Sequence, residues 1–420
     1  MIKARTLAGV MLAGALVGSA QTAPELRVFF KEQVGLSDDQ IAMIARGGVV
    51  AKVLPSQRPS EIVVFGAVFV NATPEEYVRF AFDLDRLRRL PSYLGVGRIS
   101  DPPMLADLEA FTLEPEDLKD LKTCKPGKCA VQLPTEAMQE LQRSLDRSSG
   151  SGAASQVNDR IQRIALEVLR RYQAEGNSAL GIYRDNSHPF DVDAELRSLL
   201  GRSEVLPVYL PALSRYLLDY PNTTLANVES SFYWERVNFG LKPTLRLNHV
   251  VAYRSAGPRG AAQVVAVKQL YASHYFQLAL DITECIPDIS TYGIKGFYLI
   301  SLRGSTQQGL TGWKGALLRR IVVGRIRSAQ EKTLIAVKKE LEERREELAP
   351  TAGPPASVRE VRPNPGGKPP ASTVSLQQPP SACGTRDDAS IPASAQGAAP
   401  RTGDGTRLAS RRLSRKWLDR

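Results

Sequence analysis

Apolar positions in this chain change period twice, and the changes divide it into helical and strand regions. Ser37-Asp38-Asp39-Gln40 predicts the start of a short helix with Ile41, Ile44 and Ala45 on one side, stopped at Gly47-Gly48. Residues 49–54 and 61–70 are rich in β-branched side chains and predict two strands. Thr73-Pro74-Glu75-Glu76 then carries a capping signal: Thr73 caps, Pro74 takes the first helical position and Glu76 reaches back. Tyr77, Phe80, Ala81, Leu84 and Leu87 follow at helical spacing. A Ser/Gly-rich stretch at 147–155 predicts a linker. The next helix, 156–172, carries Val157, Ile161, Ile164, Val168 and Tyr172 on one stripe, and two further short helices fall at 194–200 and 211–220.

Beyond residue 230 the period becomes two. Segments 231–239, 245–253, 264–272, 275–283 and 296–302 predict five consecutive strands. Gly257-Pro258-Arg259-Gly260 marks a turn between the second and third. Short connections between sequential strands favour an antiparallel meander. One long helix, about 313–348, follows with Leu317, Ile321, Leu334, Val337 and Leu341 as its stripe.

The two ends have a different character. Lys3 and Arg5 precede a 13-residue apolar run, and Gly18-Ser19-Ala20 offers small residues for cleavage before Gln21. This is the layout of a signal peptide at 1–20; a spanning helix needs about 20 apolar residues. The mature chain is therefore expected to be exported, either periplasmic or secreted. Residues 21–58 hold an N-terminal helix and strand. Residues 349–420 form a Pro/Ala/Ser-rich basic tail, too poor in large apolar residues to offset its ordering entropy by burial. Its last part, Arg407 to Arg420, mixes basic with apolar residues; it reads either as an unstructured positive tail or as a short amphipathic helix touching anionic membrane.

The formal net charge is +11, but the segment from Pro350 holds eleven Lys/Arg against five Asp/Glu. With the leader removed as well, the body is near neutral. That placement, with no nucleic-acid-binding signature, excludes nucleic acid as a partner. Of four cysteines, Cys124 and Cys129 bracket a Pro-Gly turn and predict a local disulfide in an oxidising compartment. No second Cys or His pair completes a zinc site, Cys285 reads as buried and inert, and Cys383 lies in the tail.

The run Val63-Val64-Phe65-Gly66-Ala67-Val68-Phe69-Val70-Asn71-Ala72-Thr73-Pro74-Glu75-Glu76 resembles the first strand and following helix of the START and polyketide-cyclase-like superfamily. Residues 296–348 resemble its last strand and closing helix. The resemblance implies an α+β helix-grip fold over 59–348, in which a curved antiparallel sheet wraps on the long C-terminal helix around an apolar cavity. A large helical insertion at about 101–226 departs from that pattern.

No Gly-x-Ser-x-Gly elbow, His-Glu-x-x-His or phosphate-binding loop is present. Neither catalytic residues nor a cofactor or metal are assigned. Gly304 to Gly312 is Gly-rich and reads as a flexible turn or as an anion-binding helix start. Alternation puts His249 on one strand face with Leu245, Leu247, Val251 and Tyr253. If the strands pair across the Gly-Pro turn, Lys268 falls opposite His249 and its charge depresses the imidazole pKa. Trp234, Tyr253, Tyr271, His274 and Tyr275 make the meander aromatic-rich, suited to a pocket or a core. The candidate ligand-binding set is therefore Trp234, His249, Val251, Tyr253, Lys268, Tyr271, His274 and Tyr275, with Val337 from the helix. The expected function is an exported carrier for a lipid-like or other apolar small molecule between sheet and C-terminal helix. The alternatives are an enzyme using His249 and a tyrosine on a hydrophobic substrate, and a structural envelope protein.

Overall fold

A computed structural model of the protein describes residues 24–147, 152–202, 209–238, 242–257, 260–290, 293–307, 310 and 312–348. The segment expected to be a signal peptide, the tail and its stretch Arg407 to Arg420 lie outside the described residues. By internal contacts the chain divides into units 1–352 and 353–420, and every described element belongs to the first.

Both expected helix starts form, each with a capping box. Ser37 Oγ accepts from the Gln40 N–H while Gln40 accepts from the Ser37 N–H, opening α2 (Asp38–Ala45) behind a short α1 (Pro24–Val28). Thr73 and Glu76 exchange the same pair of bonds at the start of α3 (Pro74–Phe82). Asp83 interrupts that helix and caps a separate single turn, α4 (Leu84–Leu87), whose Leu84 and Leu87 still pack in one core with Tyr77 and Phe80.

Eight strands make one antiparallel sheet in the order β1-β2-β10-β9-β8-β7-β6-β3. β1 (Val50–Leu54) and β2 (Glu61–Val70) lie at one end. The predicted meander forms from β6 (Glu229–Val237), β7 (Thr244–Gly257), β8 (Gly260–Ala272), β9 (Phe276–Ser290) and β10 (Gly293–Gln307). β10 extends into the Gly-rich segment: Gly304 to Thr306 pair with both β2 and β9, so that part is strand and not a helix-start loop. β3 (Tyr93–Ile99) has no strand signal of its own. Its glycines let it lie against β6, and a Cβ on Gly97 would collide with the Trp234 indole.

The segment at 101–226 is mainly helical, with α5 (Pro115–Leu121), α6 (Thr135–Arg147), α7 (Ala153–Glu175), α8 (Val192–Arg202) and α9 (Pro211–Asp219). A two-residue hairpin, β4 (Ile182–Tyr183) with β5 (Phe190–Asp191), interrupts it. The C-terminal helix runs from Gly312 to Leu348.

Directly paired antiparallel residues share a face, so the registers divide the sheet into two. Phe232, His249, Lys268 and Leu280 lie on one face, with Val251, Ala266 and Ile282 in the next row. The helical segment packs here through Phe111, Leu169, Tyr172, Leu196, Leu213 and Leu217. Further along the same face, Phe65, Ala67 and Ile300 meet Phe30, Ile41 and Ile44 of the N-terminal region. The opposite face presents Val68, Val70, Phe297 and Leu299 to Leu334, Val337 and Leu341 of the C-terminal helix. α3 covers the remainder through Tyr77, Val78 and Ala81 over Tyr233, Val250 and Val265.

Candidate functional site

The expected candidates do not form one site. Val337 packs on the C-terminal-helix face, whereas His249, Val251 and Lys268 lie on the face beneath the helical segment. Val251, Tyr253 and Trp234 are core there; the Trp234 indole N–H donates to the Asp107 carbonyl at 2.9 Å. Tyr271, His274 and Tyr275 stand at the far end of β8 and β9. His274 faces the Ala130 carbonyl through Nδ1 at 2.9 Å and Asp117 Oδ1 through Nε2 at 3.0 Å. Burial works against the charge of Asp117, but His274 and Lys242 outweigh it and hold the carboxyl below its usual range. The backbone N–H of Lys242 donates to the Tyr275 hydroxyl at 3.1 Å. This cluster ties α5 to the sheet.

His249 and Lys268 are brought together. They are register partners, exposed to 1% and 0%. Lys268 Nζ donates to the Tyr172 hydroxyl at 2.9 Å, to the Leu217 carbonyl at 3.3 Å and, in a shorter contact, to Asn177 Oδ1. Among the described residues no carboxylate bonds it. Burial therefore lowers the amine to about 7, against a smaller opposing influence of the Asp193 charge. Because Tyr172 accepts from Lys268, its own proton points to His249 Nδ1, 3.0 Å away. His249 Nε2 then donates to Ser230 Oγ at 2.8 Å. Burial first, and the Lys268 charge second, hold His249 well below the ordinary histidine value, consistent with this neutral tautomer. Phe232 stacks on the imidazole at 4.6 Å between centroids, and Tyr220 closes its other side at 4.8 Å. Ser230 is exposed, so an unbroken hydrogen-bonded chain runs from Lys268 to solvent.

Asn177 also lines a surface cleft of about 460 Å³, together with Asp193, Arg197, Asp219, Tyr220 and Thr223. Its amide nitrogen donates to the Leu217 and Leu218 carbonyls at 3.1 and 2.8 Å. Gly176 makes this approach possible: its φ is +70°, and a Cβ there would collide with the Tyr220 carbonyl oxygen. Sequence reasoning placed Tyr172 on an apolar helix stripe but missed Asn177 and Tyr220, which carry no signal that a backbone would fold back onto Lys268.

The opposite face holds a different arrangement. Glu235 and Arg246 form a buried ion pair at 2.8 Å. Burial nevertheless pushes the Glu235 carboxyl up, against the nearby Arg246 charge. Asn248 faces the Glu235 carboxyl and Arg303 Nε faces Asp281 Oδ2 at 3.7 Å, while Glu235 Oε2, Arg246 Nε, Gln269 Oε1 and both side-chain polar atoms of Gln330 are buried with no hydrogen-bond partner. Gln330 on the C-terminal helix lies over Gly66 of β2, whereas Glu235, Arg246, Asn248 and Gln269 stand on β6, β7 and β8 of the same sheet face. Sequence reasoning missed these residues too, because isolated polar positions in strands read as solvent-facing.

Cys124 and Cys129 are disulfide-bonded, and the loop they close docks on Arg184 and Asp185 through Gly127 N–H and Cys129 N–H. Cys285 is buried and free. Among the described residues no three His, Cys, Asp or Glu side chains are grouped to hold a metal ion, and no helix is long and apolar enough to cross a membrane. In comparisons with known proteins, no family model and no curated protein matches the chain.

Proposed function

We propose that the protein is an exported carrier, periplasmic or secreted, for an amphiphilic small molecule held between the sheet and the C-terminal helix. The observation that carries this reading is the group of buried polar side chains on that face, Glu235, Arg246, Asn248, Gln269, Arg303 and Gln330, among which Glu235 Oε2, Arg246 Nε, Gln269 Oε1 and the Gln330 amide have no hydrogen-bond partner. Each such unpartnered atom forfeits about 1–3 kcal/mol of solvation, and native interiors retain few of them without a bound partner. A polar headgroup would satisfy these atoms, while an apolar body would lie along Val68, Phe80, Leu299, Leu334 and Val337. The disulfide supports export, since such bonds persist in oxidising compartments.

A fluorescent fatty acid is expected to bind in the micromolar range, about −8 kcal/mol. Asn248→Leu should weaken it by about 1–3 kcal/mol. Val337→Trp should block binding, and His249→Ala on the other face should leave it unchanged. Absence of binding by the folded wild-type protein, or loss on His249→Ala equal to that on Asn248→Leu, would overturn the reading.

A further inference from the structure

Lys268 serves no part of the carrier reading, yet its surroundings are those of an amine prepared for covalent chemistry. It is fully buried, bonded to three neutral acceptors and backed by a hydrogen-bonded chain to solvent. One of those acceptors, Asn177, also lines a cleft of about 460 Å³. Ser178, Asp219, Asn222 and Thr223 give that cleft a hydrogen-bonding wall, and Asp193 Oδ1 within it is buried without a partner.

We propose that Lys268 captures a small hydroxylated aldehyde or ketone, entering through the Asn177–Tyr220 cleft, as an imine. The Nζ lone pair attacks the carbonyl carbon, and a C–N bond forms as the C=O π pair moves to oxygen. That oxygen takes the Tyr172 hydroxyl proton, giving a carbinolamine. The proton released from nitrogen passes to Tyr172, whose hydrogen-bonded contact with His249 and Ser230 exchanges protons with solvent. Protonation of the carbinolamine hydroxyl lets it leave as water while the C=N bond forms. One amine and one carbonyl become one imine and one water, with no redox change. The lowered basicity of Lys268 leaves much of the amine with its lone pair free at neutral pH. Asn177 must swing aside, since its oxygen now holds the amine. This site and the carrier reading lie on opposite faces of the sheet, so either can fail without the other.

The test is reductive trapping of the full chain with glyceraldehyde and cyanoborohydride at pH 7, read by peptide mapping. Lys268 is expected to be labelled at least about 10-fold faster than the exposed Lys339, because an ordinary lysine near 10.4 is almost wholly charged at that pH. The preference should shrink as the pH approaches 10. Tyr172→Phe, which keeps the amine but removes the proton shuttle, should slow labelling of Lys268 about 10²-fold. Asn177→Ala should accelerate it. Labelling of Lys268 no faster than that of Lys339, in both the wild type and Asn177→Ala, would overturn the proposal. So would Tyr172→Phe labelled at the wild-type rate.

Discussion

Lys268 and His249 show how one register pair sets a local protonation state. Each is buried, the Lys268 charge depresses the charged form of His249, and Tyr172 between them fixes which atom donates. The consequence for stability has a definite sign. The folded Lys268 amine titrates at about 7, whereas an unfolded lysine titrates near 10.4. Between those values the unfolded chain binds more protons, so stability rises with pH across that window. Urea unfolding from pH 6 to 10 should show a rise of a few kcal/mol, and Lys268→Met should flatten it. A wild-type slope identical to that of Lys268→Met would remove Lys268 as its source. The pairing itself was legible, because alternation along β7 and the Gly-Pro turn place Lys268 opposite His249. The rest of the network was not: Tyr172 and Asn177 stand 77 and 91 residues away from the side chains they bond. Nothing in local spacing specifies such contacts.

At the scale of elements, the C-terminal helix separates periodicity from packing. Its predicted stripe treats Ile321 and Leu334 alike, yet Ile321 is 51% exposed while Leu334 is 2% exposed. The half of the helix carrying Leu334, Val337 and Leu341 crosses the sheet and meets Val68, Val70 and Leu299. Leu334→Ala is therefore expected to cost about 2–5 kcal/mol and Ile321→Ala less than about 0.5 kcal/mol, measured as changes in the urea midpoint. Equal costs would mean that the whole stripe is packed. β3 gives the converse case. Its Gly95 and Gly97 weaken any strand signal, and the strand forms because β6 offers Trp234 to cover them. The capping boxes at Ser37 and Thr73 needed no such help, since their bonds span three residues.

For the whole molecule, the sheet is a partition with a different helical layer on each face. The helical segment from about 101 to 226 covers the His249 face, and α3 with the C-terminal helix covers the other. A ligand beneath the C-terminal helix therefore does not meet His249 or Lys268, as the sequence reading supposed. The division of the chain at 352 coincides with the loss of large apolar residues. Removing residues 353–420 is expected to leave the melting temperature within about 2 °C of the full chain, because so polar a segment adds little buried area. A larger drop in calorimetry would show that those residues pack against the body.

The sequence by itself determined what short-range physics controls: the helix starts at Ser37 and Thr73, the order and antiparallel sense of the meander, the cysteine pair around its Pro-Gly turn, and the side of β7 on which His249 stands. Period-two alternation says that neighbours face opposite ways but not which layer each will meet. Only the tertiary structure decided that, because the choice depends on where a segment of more than a hundred residues folds back. It put Asn177 against Lys268 and left Asn248, one residue from His249, among buried polar groups on the other side of the sheet.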